Sequence, residues 1–204
     1  MLDLILDEAT HIYRYRNSPV PGVNEIMSDV GLIEMHGNQS NIEIAGDFGK
    51  KVHVACELFD RGMLDKASLD LKLIPYLECW ENFIIDYKIK ILEIELQLYH
   101  PMLKFAGTID RIVEFNGHIC IVDIKSGSTV SKSAEIQLAA YKILYCDHKD
   151  IPYDRIWRMA VQLVPEGKAK IFTYKQPSDL NCFISAVNVF YRRVRYGFTK
   201  IGKI

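Results

Sequence analysis

No apolar run in this sequence approaches the ~18–20 residues that a membrane span needs, so no transmembrane helix is expected. The opening stretch MLDLILDEATH is acidic and lacks the basic start of a secretory signal, so a cytoplasmic location is expected. Cysteine is sparse. Cys56, Cys79, Cys120, Cys146 and Cys182 stand far apart without a CxxC pair, which argues against a zinc site and against a disulfide framework. They are expected as reduced thiols in a core. A GxxxxGK[ST] phosphate loop is missing, so no nucleotide cofactor is expected, and ATP-driven unwinding would need another chain. Repeats, low-complexity tracts and Gly/Ser linkers are also missing. A chain of 204 residues without them fits one domain over residues 1–204. Net charge is only −1, so bulk charge does not mark a nucleic-acid binder.

What is present suits a globular protein, since 49% of the residues are hydrophobic and 25% charged. Charge is uneven, however. Residues 191–204 carry five basic side chains and no acid. Such a stretch can contact phosphates, or simply complement the dipole at a helix end.

Residues 11–15 alternate like a short edge strand, and Pro19, Pro21 and Gly22 suggest a turn. A short helix over 23–30 would stop at Gly31. Phe48, Val52, Ala55, Cys56 and Phe59 recur at helical intervals, which predicts a helix over 47–61 with Gly62 as its stop. Pro75 suits the first turn of another. The period then changes, with strands expected over 89–99, 105–115 and 118–125. A helix over 133–145 follows, then strands over 155–164 and 168–174 about a turn at Pro165-Glu166-Gly167. A final helix spans 177–195. This order predicts an α/β fold, with a mixed central sheet flanked by helices. The core would cover about 46–175, between an N-terminal extension and a basic C-terminal helix.

Asn116-Gly117 is the strongest hairpin signal in the chain. If these two residues form the loop, paired positions sum to 233, and Asp110 faces Asp123 at a non-hydrogen-bonded position. Lys125 shares the face of Asp123. Opposed carboxylates repel, more so when partly buried. A divalent cation would offset that repulsion, and carboxylate oxygens suit magnesium or manganese. A lysine beside them could neutralise charge or handle a water. Together the set can hydrolyse a phosphodiester. An Asp-x-Lys on a strand is otherwise an exposed ion pair worth ~0–1 kcal/mol. Here it interrupts the apolar run Ile121-Val122-Asp123-Ile124-Lys125, which reads as a strand covered on both faces.

Three segments then combine: Phe105-Ala106-Gly107-Thr108-Ile109-Asp110, Ile121-Val122-Asp123-Ile124-Lys125-Ser126-Gly127 and Gln137-Leu138-Ala139-Ala140-Tyr141. In order and spacing they resemble the G-T-x-D, D-x-K and Q-x-x-x-Y motifs of the RecB-type branch of the PD-(D/E)xK nucleases. Residues 49–58, GKKVHVACEL, resemble that branch's histidine-bearing helix. The resemblance implies a restriction-endonuclease-like core. It implies that Asp110, Asp123, His53 and the carbonyl of Ile124 hold Mg2+ or Mn2+, and that Lys125 activates or orients a water. Glu95 would orient Lys125 or hold a metal water, with Glu93 as the competing choice on the same face. Gln137 and Tyr141, four apart on one helix face, would meet the site or the DNA backbone. Ile109 stands where the family often has proline. The cysteines lack the grouping that holds an iron–sulfur cluster in some relatives, so none is expected.

The resemblance further implies a DNA exonuclease of recombination or repair, RNA fitting the same chemistry. By analogy with lone phage domains, it would work in a bacterial or phage-infected cell. A single-strand-binding or annealing protein, or a separate helicase, would be its partner. Two other classes fit the motifs: a nuclease-derived binding module that no longer cleaves, and a structure-selective endonuclease.

Overall fold

A computed structural model describes the chain except for residues 1–2, 8–9, 34–38, 166 and 203–204; for residues 39–43 the backbone alone is described. Strands β1 (Leu4–Asp7), β2 (Ile12–Tyr15) and β3 (Ser18–Val20) form a small antiparallel sheet. Three helices follow: α1 (Val23–Asp29), α2 (Gln39–Asp60) and α3 (Ile74–Asp86). The main sheet contains β4 (Lys90–His100), β5 (Phe105–Phe115), β6 (His118–Lys125), β7 (Ile156–Gln162) and β8 (Lys170–Thr173), in that spatial order. Helix α4 (Ala134–Lys149) links β6 to β7, and α5 (Ser178–Arg195) follows β8. β6 and β7 run parallel while the other neighbours run antiparallel, so the sheet is mixed. A parallel pair needs a long crossover, which α4 supplies.

The expected α/β order is the observed one. Asn116 (φ 51°) and Gly117 (φ 76°) both take the left-handed turn conformation, and β5 pairs with β6 from Phe115↔His118 to Arg111↔Val122. Each sheet face buries its own core. On one face Leu98, Ile109, Ile112 and Ile121 pack with Leu138 and Leu144 of α4 and Phe183 and Phe190 of α5. On the other, Val113, Val122 and Ile124 pack with Val52 and Cys56 of α2 and Trp80 and Phe83 of α3. β6 feeds both clusters, which explains its nearly unbroken apolar run. Among the described residues no helix is long and apolar enough to cross a membrane.

Several expectations change. The lone strand over 11–15 is the middle of three. Pro19 is not in a turn; it pairs with Arg14 at the edge strand β3, where its missing N–H costs nothing. Gly22 instead precedes α1 and bridges Ala106 of β5. α2 starts at Gln39, well before the first apolar residue that signalled it, and Ile44 in its first turns is exposed. In the turn expected at Pro165-Glu166-Gly167, Glu166 lies outside the described residues, as do Lys203 and Ile204 of the basic stretch. Within that stretch Arg193 pairs with Asp29 at 2.7 Å and Arg192 reaches Tyr196, so both arginines are engaged in the fold.

Candidate active site

The regular alternation of β5 slips by one residue where the charged side chains begin. Ile109 and Ile112 both face the α4/α5 cluster. Between them, Asp110 and Arg111 both turn toward α2. Asp110 Oδ2 lies 3.4 Å from His53 Nδ1, and Arg111 Nε donates to Asp60 Oδ2 at 2.6 Å. The β5–β6 ladder ends at Arg111↔Val122, one step short of the aspartates. Beyond it the Ile124 N–H donates to Asp110 Oδ2 at 2.7 Å. The expected register holds as far as Arg111↔Val122, and the 110–123 pair itself is not part of the ladder. Asp110 and Asp123 sit at a fork where the strands part.

β4 is irregular at the same level. Its register with β5 shifts between Ile91 and Glu93, and Glu95 adopts φ 50°. A non-glycine residue there is strained by ~1–3 kcal/mol, so surrounding contacts must hold it. Arg111 Nη1 does so, donating to Glu95 Oε1 at 2.8 Å and to its neighbouring Asp110 carbonyl at 2.6 Å. The break separates the two candidate glutamates. Glu93 reaches Lys149 of α4 at 3.7 Å, while Glu95 joins His53 and Asp110. One ligand atom from each of those three lies within 4.8 Å of the others. Glu93 and Glu95 thus do not share a face.

Asp123 and Lys125 meet on the α4 side. Lys125 Nζ lies 2.7 Å from Asp123 Oδ2 and donates to Gln137 Oε1 at 3.0 Å. The Gln137 amide nitrogen donates to the Tyr141 hydroxyl at 3.2 Å and to Asn24 Oδ1 at 3.0 Å. Tyr141 packs where Gly107 leaves room: a Cβ there would lie 3.0 Å from Leu144 and 3.1 Å from Tyr141 and Val23.

The electrostatics follow from burial and like charge. Burial raises the Glu95 carboxyl to about 7, helped by the Asp110 charge and opposed by Arg111. Burial likewise pushes Asp123 upward, with Asp110 adding and Lys125 opposing. For Lys125 burial disfavours the charge, but Asp123 outweighs it and the ammonium is raised. Tyr141 is raised well above the usual phenol by burial and by both aspartates. Carboxylates and an imidazole held this close form a donor set suited to a divalent cation. The geometry thus groups His53, Glu95 and Asp110, and beside them Asp123, Lys125, Gln137 and Tyr141.

Two contributors escape the motif reading. Arg111 is fully buried and links Glu95 to Asp60, whose other oxygen accepts from the Trp80 indole at 2.9 Å. An arginine inside the apolar strand Ile109-Asp110-Arg111-Ile112-Val113 was the available signal. Asn24 carries no such signal, because nothing local in the sequence points from α1 to α4.

The family model of the PD-(D/E)XK nuclease superfamily matches residues 74–193. α1 and α2, with Asn24, His53 and Asp60, precede that span. No curated protein matches the chain. Among solved structures, a candidate exonuclease from Eubacterium rectale is 11% identical, with a TM-score of 0.49 over 90% of this chain and 77% of its own. An alkaline exonuclease from Laribacter hongkongensis is 14% identical, with a TM-score of 0.48 over 86% of this chain and 88% of its own. A second structure, of LHK-Exo in complex with dAMP, is 12% identical with a TM-score of 0.41 over 87% and 89%.

Proposed function

Because the chain belongs to the PD-(D/E)XK nuclease superfamily, we propose that it is a metal-dependent exonuclease that hydrolyses DNA phosphodiester bonds. The observation that carries the reading is the convergence of one histidine and two carboxylates within 4.8 Å beside the Asp123–Lys125 pair. The exonuclease mode and a role in recombination or repair rest on the resemblance to the RecB-type motifs. So does a partner such as an annealing protein or helicase.

His53, Asp110 and Asp123 would hold Mg2+ or Mn2+, with the Ile124 carbonyl as a further oxygen and Glu95 holding a water of the metal. When bound, such a cation supplies Lewis acidity to the phosphate and makes a water more acidic. The chain's own residues do the positioning. The Ile124 N–H fixes one Asp110 oxygen. Asp123 and Gln137 hold the Lys125 ammonium from two sides, where it can orient the attacking water and stabilise charge on the phosphate. Gln137 and Tyr141 line the approach from α4.

The test uses end-labelled linear DNA and circular single-stranded DNA, each with magnesium or manganese and with chelator. Progressive loss of the linear DNA from its ends, with the circle intact and chelator blocking the reaction, is expected. Cutting of the circle would make the protein an endonuclease. Binding without cleavage of any DNA or RNA form would make it a binding module.

A further inference from the structure

We propose that Asn24 is a positioning residue for Lys125, acting through Gln137. The inference rests on the nuclease reading and on donor–acceptor bookkeeping. An ammonium only donates, so Gln137 must turn its oxygen to Lys125. The observed bond, Lys125 Nζ to Gln137 Oε1 at 3.0 Å, has that sense. The Gln137 amide nitrogen then needs acceptors. Tyr141 offers one at 3.2 Å. Asn24 Oδ1, 3.0 Å away, supplies the second. With both in place, a flip of Gln137 would set its NH2 against an ammonium and would require Asn24 to turn its own amide as well.

Asn24 can serve this way because α1 is pinned from several sides. The Ala106 N–H donates to the Pro21 carbonyl at 2.9 Å, and Val23 packs into the space above Gly107. At the far end of the chain the Gly202 N–H donates to Glu25 Oε1 at 2.7 Å, and Arg193 pairs with Asp29 at 2.7 Å. The N-terminal and C-terminal segments therefore meet at α1. α1 and Gly202 lie outside residues 74–193, the span matched by the family, and Arg193 is the last residue of that span. Asn24 itself is exposed, so substituting it leaves the core unchanged.

The experiment compares Asn24→Ala and Asn24→Asp. An aspartate still offers an acceptor to Gln137 but cannot donate to a phosphate. Asn24→Ala should lower kcat by about fivefold, the worth of one hydrogen bond between neutral amides, with KM and melting temperature little changed. Asn24→Asp should keep kcat within about twofold of the parent, whatever its added charge does to KM. In a Gln137→Ala background, Asn24→Ala should have no further effect. A readout independent of turnover uses metal-free protein: the Gln137 side-chain amide protons should exchange faster in Asn24→Ala and not in Asn24→Asp. Equal loss of kcat in both Asn24 variants would overturn the proposal in favour of direct phosphate contact. An undisturbed Gln137 amide in Asn24→Ala, or additive losses with Gln137→Ala, would overturn it as well. Failure of the parent protein to cleave any DNA or RNA would instead overturn the nuclease reading, and the amide exchange would still decide the link from Asn24 to Gln137.

Discussion

Replacing Arg111 by leucine removes the guanidinium that faces Asp60 and anchors Glu95. The Asp60 and Arg111 side chains are 0% exposed and lie 2.6 Å apart. Burial pushes Asp60 upward, opposed by the Trp80 indole and by Arg111. For Arg111 burial works against the charge, and Asp60 more than offsets it. Breaking such a pair from one side costs ~3–5 kcal/mol, because the remaining charge stays buried without its partner. For a chain of this size that corresponds to a fall of ~6–20 °C in melting temperature, at ~2–4 °C per kcal/mol. Adding Asp60→Asn removes the stranded charge while keeping an acceptor for the Trp80 indole. The Arg111→Leu/Asp60→Asn double variant should therefore recover most of the stability. It should not recover metal binding. Glu95 would still lack the contact that holds it at φ 50°, and loss of such a supporting partner typically costs ~10–100-fold in affinity. Heat melts followed by circular dichroism and manganese titration by calorimetry measure the two effects separately. A single variant that melts within ~2 °C of the parent would refute the buried-pair argument. A double variant that binds manganese like the parent would refute the anchoring role.

Lys125→Ala should abolish cleavage in a gel assay while the circular dichroism spectrum stays native. Its melting temperature should dip, since buried Asp123 loses the ion pair at 2.7 Å; retained cleavage would remove Lys125 from the chemistry. Asp123→Asn should weaken manganese binding in calorimetry, and unchanged affinity would take Asp123 out of the ligand set. Gly107→Ala should destabilise the fold by ~1–3 kcal/mol in urea, because the new methyl crowds Leu144, Tyr141 and Val23 at 3.0–3.1 Å. An unchanged urea midpoint would mean that α4 can move aside freely.

The order of elements and the β5–β6 hairpin were legible because they depend on short-range chemistry. Apolar period separates helix from strand, and Asn116-Gly117 favours one turn type, from which the register follows by counting. That counting brought Asp110, Asp123 and Lys125 together without any tertiary information. The N-terminal sheet was only partly legible. Its strands are three or four residues long and one contains proline, so their pairing depends on packing against the main sheet at Tyr13, Tyr99 and Ala106.

Tertiary structure decided the rest of the site. Strand alternation predicts that residues two apart share a face, and that rule made Glu93 and Glu95 equivalent. The register shift in β4 and the left-handed turn of its backbone at Glu95 break the rule. So does the slip in β5 between Ile109 and Ile112. Such breaks are enforced by long-range contacts, here Arg111 with Asp60 fifty-one positions away in sequence. Asn24 meets Gln137 across 113 positions. Sequence by itself determined which carboxylates and lysine could share a strand pair, because hairpin geometry is local. Only the fold decided which glutamate joins them, and which arginine and asparagine hold the arrangement in place, because those contacts exist only once α1 and α2 are packed against the sheet.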